Sequence, residues 1–269
     1  MTLPLVAPRS LALALWFCAS AVFAQTQILP PKGKFHLFLL VGQSNMAGRG
    51  IVAPQDKIPD PRVLMLSQAG EWVPAVDPMH FDKPAVVGVG LGRSFAVAVA
   101  EANPGVTIGL IPCAVGGSPI DAWRPGVFYE PTHSHPWDDA LRRAKLALQA
   151  GTLQGILWHQ GEADSTVALA PAYEAKLHDL IDRLRAELGA PDLPFVAGQL
   201  GRFEGSPWDD AKGRVDQALR DLPHKMPHTA FVSAEGLKDK GDKIHFDSDS
   251  YREFGRRYAE AFLGLAGRK

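Results

Sequence analysis

Three residues of the chain could together carry out acyl transfer. Ser44 offers a hydroxyl nucleophile, but a free hydroxyl attacks poorly and needs a base. His245 can take up and return the proton, and Asp242, three residues earlier, can reach back to orient its ring. Taken alone, Ser44 would be better interpreted as a helix cap, and His245 could be a polar surface residue.

Two further segments could supply donors for a developing oxyanion. In Gly116-Gly117, a residue without a Cβ can bring its N–H close to a substrate, and we assign this role to Gly117, with Gly116 as the fallback. The Gln160 amide could donate a third hydrogen bond, with Glu162 nearby. The alternatives are a plain turn for the glycines and a core amide for Gln160.

These residues follow strand-like segments. Apolar runs precede Ser44, the glycine pair and Gln160, and we predict five buried strands, at residues 35–41, 106–111, 155–158, 195–200 and 229–232. Because ligands bind outside the carboxyl ends of parallel strands, we expect the polar segments to meet at one edge of the sheet.

Amphipathic helical patterns separate the strands. A single apolar face recurs around residues 91–99, 141–148, 173–188, 208–219 and 251–265, and Ser250 with Glu253 forms a capping-box pattern before the last. This alternation predicts a three-layer α/β/α sandwich with a mostly parallel sheet of about five strands. The long proline-rich segment 49–90, with one short strand candidate at 62–66, is predicted to be a surface excursion near the site.

The net charge and the residue types argue against several classes of partner and cofactor. With 28 Lys+Arg against 29 Asp+Glu, the formal charge is −1, which argues against nucleic acid or an anionic membrane as the main partner. His133 and His135 lack visible third and fourth ligands, so no metal is predicted, and acyl transfer by these residues needs no cofactor. Oligomeric state has no signature in the sequence.

The N-terminal segment resembles a signal peptide. Residues 11–23 are apolar, and Val22 and Ala24 place small residues at the −3 and −1 positions of a cleavage site. We therefore predict a signal peptide at residues 1–24, an N-terminal extension at 25–34 and one catalytic domain at 35–269, exported to the periplasm or the medium. Cys113 is then the only cysteine after the cleavage site, and we interpret it as a buried small residue.

Four segments carry a family resemblance. FLLVGQSNMAGRG, IPCAVGGSPIDAW, LWHQGEAD and DKIHFDSDSYREFGRRYAEAF resemble the SGNH-hydrolase superfamily. Within it they are similar to the branch of sialate O-acetylesterases and family 6 carbohydrate esterases, the acetylxylan esterases. The resemblance runs from about Phe35 to Phe262.

The resemblance implies roles for the candidate residues. It makes Ser44 the nucleophile, His245 the catalytic base and Asp242 its orienting acid, with Gln160 at a position where the wider superfamily has Asn. Glu162 is left open between a second acid on His245 and a residue that holds the loop. We also assign Asn45 and Trp123 to substrate binding, Trp123 because an aromatic ring can stack on a sugar.

The expected activity is hydrolysis of O-acetyl esters on a carbohydrate through an acetyl-enzyme. Two alternatives are a general short-chain acyl esterase and a non-catalytic carbohydrate-binding protein on a hydrolase scaffold.

Overall fold

An eight-residue strand, β1 (Phe35–Gly42), lies at the centre of the sheet in the computed structural model, which describes residues 28–267. Leu37 and Leu39 pack into the core on one side of the sheet, and Phe38 and Leu40 pack on the other. Successive side chains of a strand point to opposite faces, so a strand this apolar must be covered on both faces.

Seven strands pair in the order β3-β2-β4-β1-β5-β6-β7, and all pairs are parallel except β2 with β3. The predicted mostly parallel α/β sheet is confirmed, with seven strands instead of about five. The strand candidate at 62–66 is β2, whereas β3 was not predicted because three residues ending in a proline make no recognisable strand pattern. The remaining strands are β2 (Val63–Leu66), β3 (Trp72–Pro74), β4 (Thr107–Pro112), β5 (Thr152–His159), β6 (Phe195–Gly198) and β7 (Thr229–Val232).

Helices cover both faces and complete the three layers. A one-turn helix, α1 (Ser44–Ala47), follows β1 directly. One face packs against α2 (Gly92–Ala102) and α6 (Ser248–Ala266), and the other against α3 (Pro136–Ala147), α4 (Tyr173–Glu187) and α5 (Asp210–Lys225). The predicted capping box at Ser250 is wrong, because α6 begins earlier and the Asp247 side chain accepts from the Ser250 N–H.

Segment 49–90 returns to pack beneath α1. Gly50 and Val89 exchange both of their backbone hydrogen bonds, at 3.0 and 2.9 Å. A Cβ at Gly48, where φ is +88°, would lie 2.6 Å from the Gly90 Cα, so glycine is required for this approach. The buried Asp77 side chain accepts a hydrogen bond from the Gly90 N–H at 3.4 Å and so anchors the end of this segment.

The Asp77 anchor should make stability depend on pH. Desolvation by burial raises the pKa of Asp77 to about 7, and nearby Asp56 acts in the same direction. In the unfolded chain the Asp77 carboxyl has a pKa of about 4. The folded protein should therefore lose stability as the pH rises from about 4 to about 7. Asp77→Asn keeps an acceptor for Gly90 and should increase the free energy of unfolding, and with it the melting temperature, more at about pH 8 than at about pH 5. The expected difference between the two gains is about 3 kcal/mol in the free energy of unfolding. Thermal melts that show an equal or smaller gain at the higher pH would contradict this assignment.

The predicted signal peptide, residues 1–24, lies outside the described residues and stays a prediction, as does export. Among residues 28–267 no helix is both long and apolar enough to cross a bilayer. Cys113 is buried as predicted, and desolvation raises the pKa of its thiol to about 11, which leaves it an inert small residue.

Candidate active site

A sharp turn between β1 and α1 presents Ser44. Gly42 has φ +131°, and a Cβ there would lie 2.1 Å from the His159 carbonyl oxygen, so only glycine fits. The Gln43 N–H then donates to that carbonyl at 2.9 Å and ties the turn to the end of β5. Ser44 begins α1, and among the described residues its own N–H has no protein acceptor.

The structure brings Ser44, His245 and Asp242 together across some 200 residues of sequence. The Ser44 Oγ lies 3.0 Å from the His245 Nε2, and the His245 Nδ1 lies 2.7 Å from the Asp242 Oδ2. This order of hydroxyl, imidazole and carboxylate is the geometry that a nucleophile, its base and an orienting acid require.

The electrostatics fix which nitrogen of His245 can act as base. Burial acts to raise the pKa of Asp242, but hydrogen bonds from the His245 backbone and ring and from the Ile244 N–H outweigh it and lower the pKa to about 2. Asp242 is therefore a carboxylate in neutral solution and can only accept, so the His245 Nδ1 carries the proton. The Nε2 is left free to accept the hydroxyl proton of Ser44.

Two aspartates shape the loop that carries His245. Asp239 Oδ2 accepts from the backbone N–H groups of Gly241 and Lys243 at 2.9 and 2.7 Å. Asp242 Oδ1 accepts in turn from the N–H groups of Ile244 and His245 at 3.0 and 2.8 Å. Aspartates that bond the backbone ahead of them form tight turns, so Asp242 both builds the loop and orients the ring.

The oxyanion candidate Gly117 lies at the end of the neighbouring strand. The Val115 N–H donates to the Gly42 carbonyl at 2.9 Å, which places the following glycines beside the turn of Ser44. Gly117 has φ +83°, and among the described residues its N–H has no protein acceptor. A Cβ at Gly117 would lie 3.2 Å from the Tyr129 hydroxyl, so the absent side chain leaves a narrow opening there.

Gly116 is held by a buried ion pair that was not predicted. The Asp82 carboxylate accepts from the Gly116 N–H at 2.8 Å and pairs with Arg49 at 2.7 Å, with the side chains 0% and 4% exposed. Gly116 therefore cannot serve as the fallback oxyanion donor, since its N–H is occupied. No spacing in the sequence connects Asp82, in an irregular segment, to these partners.

Two predicted site residues prove to be structural. The Gln160 side chain is fully buried, and its amide nitrogen donates to the Ser118 carbonyl at 3.2 Å and to Asp164 at 2.5 Å. The prediction that Gln160 donates to an oxyanion is therefore wrong, because both N–H groups are occupied. Trp123 is 1% exposed and donates to the Ser118 hydroxyl at 3.0 Å, so its predicted contact with substrate is also wrong.

Asn45 is likewise not a substrate contact. It is fully buried, and its amide nitrogen donates to Glu162 at 2.7 Å and to the Ile244 carbonyl at 3.0 Å. Its oxygen accepts from the Tyr251 hydroxyl at 2.6 Å and the Phe246 N–H at 3.4 Å. Asn45 therefore joins the helix of the nucleophile to the loop of the base, on both sides of His245.

The Glu162 side chain contacts Asn45. The Glu162 Oε1 accepts a hydrogen bond from the Asn45 amide nitrogen. Its Oε2 is buried without a hydrogen-bond partner in the described part of the chain. No hydrogen bond joins Glu162 to His245 there. The geometry favours a carboxylate that holds Asn45 and the loop over a second acid on the base.

Removing the Asn45 side chain should impair catalysis more than stability alone explains. Asn45→Ala leaves buried partners unpaired and should destabilise the fold by about 1–3 kcal/mol. A displaced His245 should also lower kcat on p-nitrophenyl acetate, by up to about 10²-fold with KM nearly constant. The matched control is Asn103→Ala, which removes an amide bonded to the Val99 carbonyl at the end of α2. Equal kcat in the two folded variants would refute a positioning role for Asn45.

The arrangement as a whole supports covalent acyl transfer by side chains. Ser44, His245 and Asp242 form a hydrogen-bonded triad. The N–H groups of Ser44 and Gly117 can donate hydrogen bonds to an oxyanion. Within residues 28–267 no group of three His, Cys, Asp or Glu side chains is placed to hold a metal ion.

Comparisons with known proteins agree with this chemistry. A family model described as carbohydrate esterase, sialic acid-specific acetylesterase matches residues 34–264. A probable carbohydrate esterase of Arabidopsis thaliana is 32% identical over 255 residues, which cover 87% of this chain and 92% of that protein. Its crystal structure superposes with a TM-score of 0.75, at 31% identity over 87% of this chain and 99% of that one.

Two more distant solved structures share the fold. NanS has a TM-score of 0.68 at 18% identity, covering 90% of this chain and all of that one. A carbohydrate acetylesterase from Xanthomonas citri has a TM-score of 0.65 at 23% identity, covering 88% of this chain and 57% of that one.

Proposed function

This chain belongs to the sialic acid-specific acetylesterase family of carbohydrate esterases, and on that premise we propose that it removes O-acetyl groups from a saccharide with Ser44 as the nucleophile. It is a carboxylic ester hydrolase, as the family is. The observation that carries the assignment of the nucleophile is the hydrogen-bonded triad. In it the Ser44 hydroxyl lies 3.0 Å from the His245 ring, and the ring lies 2.7 Å from the Asp242 carboxylate.

The acylation step uses each of these groups once. The Ser44 Oγ attacks the acetyl carbonyl carbon while its proton passes to the His245 Nε2. Negative charge develops on the carbonyl oxygen and is met by the N–H groups of Ser44 and Gly117. The C–O bond to the sugar then breaks, and His245 returns the proton to the sugar oxygen. The product of this step is an alcohol on the saccharide and an acetyl ester on Ser44.

Deacylation repeats the cycle with water as the nucleophile. His245 takes a proton from water, and the hydroxide attacks the carbonyl carbon of the acetyl-enzyme. The C–O bond to Ser44 then breaks, and His245 returns the proton to the Ser44 oxygen. The product is acetic acid, which ionises to acetate in neutral solution. Asp242 stabilises the imidazolium in both steps because its carboxylate stays ionised. No redox cofactor is needed, since no electron is transferred.

The proposal also concerns which acetylated saccharide is the substrate. The family name points to sialic acid esters, and two relatives are named for carbohydrate esters in general. The sequence resemblance also includes the acetylxylan esterases. Acetylated xylan and O-acetylated sialic acid are therefore the two substrates to compare.

Acetate release tests the proposed function. The purified chain should release acetate from p-nitrophenyl acetate and from at least one of the two acetylated saccharides. Activity on p-nitrophenyl acetate alone would indicate a general short-chain esterase. A folded protein that binds saccharide but releases no acetate would indicate a carbohydrate-binding protein and would overturn the proposal.

A further inference from the structure

A cavity of about 270 Å³ lies at the end of β4, the strand that leads to Gly117, and we call it the side cavity. Its floor is the end of β4 and the residues that follow, including Cys113 and Val115. The first turns of α3 form one wall, with Arg142, and the turn at residues 129–134 forms another, with Thr132 and Ser134. A volume of this order accommodates a small-molecule ring.

Two contacts connect the lining of the side cavity to the surroundings of the nucleophile. Val115, on the cavity floor, donates to the Gly42 carbonyl two residues before Ser44. The turn at 129–134 is closed by a hydrogen-bonded pair between Tyr129 and Ser134, at 2.8 and 3.4 Å. One end of this turn places the Tyr129 hydroxyl against Gly117, and the other end lines the cavity. The lining of the cavity is therefore joined to the turn of Ser44 through Gly42, and to Gly117 through Tyr129.

The lining has the chemistry of a saccharide site. The Thr132 and Ser134 hydroxyls lie 2.8 Å apart and can each exchange hydrogen bonds with a ligand hydroxyl. Asp82 also lines the cavity, but its carboxylate is fully buried and holds Arg49 and the Gly116 N–H. The Phe81 ring adds apolar surface. Hydroxyl-bonding groups beside an aromatic ring suit the hydroxyls and C–H faces of a sugar.

The charges of the lining favour a neutral ligand. Asp82 is paired with Arg49 at 2.7 Å, and Asp139 with Arg142 at 3.0 Å. The remaining guanidinium, on Arg143, donates to the backbone carbonyls of Leu66, Ser67 and Pro112. Apart from His133, the lining carries two aspartates and two arginines, so these charges balance and give no net attraction for a ligand carboxylate.

We propose that the side cavity is a saccharide subsite that holds a neutral pyranose unit of the substrate next to the unit whose acetyl ester Ser44 attacks. This rests on the proposed function and narrows it, because it favours acetylated neutral oligosaccharides over O-acetylated sialic acid, which carries a carboxylate. The Thr132 and Ser134 hydroxyls bond the sugar hydroxyls.

Filling the cavity tests the subsite. The readout is the ratio of kcat/KM on acetylated xylo-oligosaccharides to kcat/KM on p-nitrophenyl acetate, which is too small to need the subsite. Thr132→Trp places a large ring in the cavity and should lower this ratio by about tenfold or more. The matched control is Glu130→Trp, which adds the same ring on the same turn at an exposed side chain that does not line the cavity. It should keep the parent ratio.

A second variant guards against misfolding. Ser134→Ala removes one hydroxyl without adding volume and should lower the same ratio, by about three- to tenfold. In the parent, acetylated xylo-oligosaccharides should have the higher kcat/KM when compared with O-acetylated sialic acid. Unchanged ratios in both folded variants, or a preference for the sialic acid ester, would overturn the subsite while leaving the esterase standing. A parent inactive on every ester would overturn the proposed function, and the subsite with it.

Discussion

Replacing Ser44 by alanine should leave a folded protein whose kcat on p-nitrophenyl acetate is lower by at least about 10³-fold. The variant would keep His245 and Asp242 but lose the Ser44 Oγ, which is the attacking atom, so no acetyl-enzyme could form. Stability should change little, because one hydrogen bond to a partly exposed imidazole contributes about 0.5–1.5 kcal/mol. Steady-state kinetics and a thermal melt on the same preparation measure both quantities.

Ser94→Ala is the matched control for this variant. Ser94 lies on α2, is half-buried and donates its hydroxyl to the Leu91 carbonyl at 3.1 Å, without contact to His245. Its loss should leave kcat near the parent value. If Ser44→Ala retained most of the parent rate, another group would have to be the nucleophile.

Asp242→Asn should lower kcat by about 10³- to 10⁴-fold with KM close to the parent value. The asparagine oxygen can still accept from the Ile244 and His245 N–H groups and keep the loop in place. Its amide would instead donate to the His245 Nδ1, and the ring proton would move to the Nε2, facing the Ser44 hydroxyl. In that tautomer His245 cannot accept the proton of Ser44.

The same loop offers a control for this substitution. Asp239→Asn keeps an acceptor for the N–H groups of Gly241 and Lys243 but faces no catalytic side chain. It should cost far less activity than Asp242→Asn. Equal and small losses in the two variants would show that Asp242 only shapes the loop and does not orient the base.

Much of the architecture could be predicted because it follows from local patterns. Apolar runs such as β1 and amphipathic stretches such as α4 predicted the layers of the fold. Because parallel strands end at one edge of a sheet, the sequence also predicts that Ser44 lies near Gly117. His245 could be predicted through Asp242, since a spacing of three lets one turn bring the two side chains together.

The errors arose where a polar residue near the site points away from it. Asn45, next to Ser44 in sequence, turns inward to Glu162 and Tyr251, and Gln160 turns inward to Asp164. Residue type and position after a strand do not specify this direction. The partners that decide it lie up to 206 residues away, so only the tertiary fold reveals them.

The same reason explains why Trp123 was misassigned and why Asp82 was missed. An aromatic residue in a loop can stack on a sugar or fill the core, and Trp123 packs edge-on against Trp158 at 5.5 Å between ring centres. Asp82 holds Gly116 only because segment 49–90 folds back beneath α1, and that path is set by close glycine contacts such as Gly48 with Gly90.

Covalent labelling of Ser44 tests the central claim most directly. A fluorophosphonate reacts irreversibly with an activated serine and imitates the tetrahedral stage of ester hydrolysis. Peptide mass spectrometry of the labelled chain should locate one adduct on Ser44, and an acetylated saccharide substrate should slow its formation. No adduct should form in Ser44→Ala. A label at another residue, or an unlabelled Ser44 in a preparation that still releases acetate, would contradict the account.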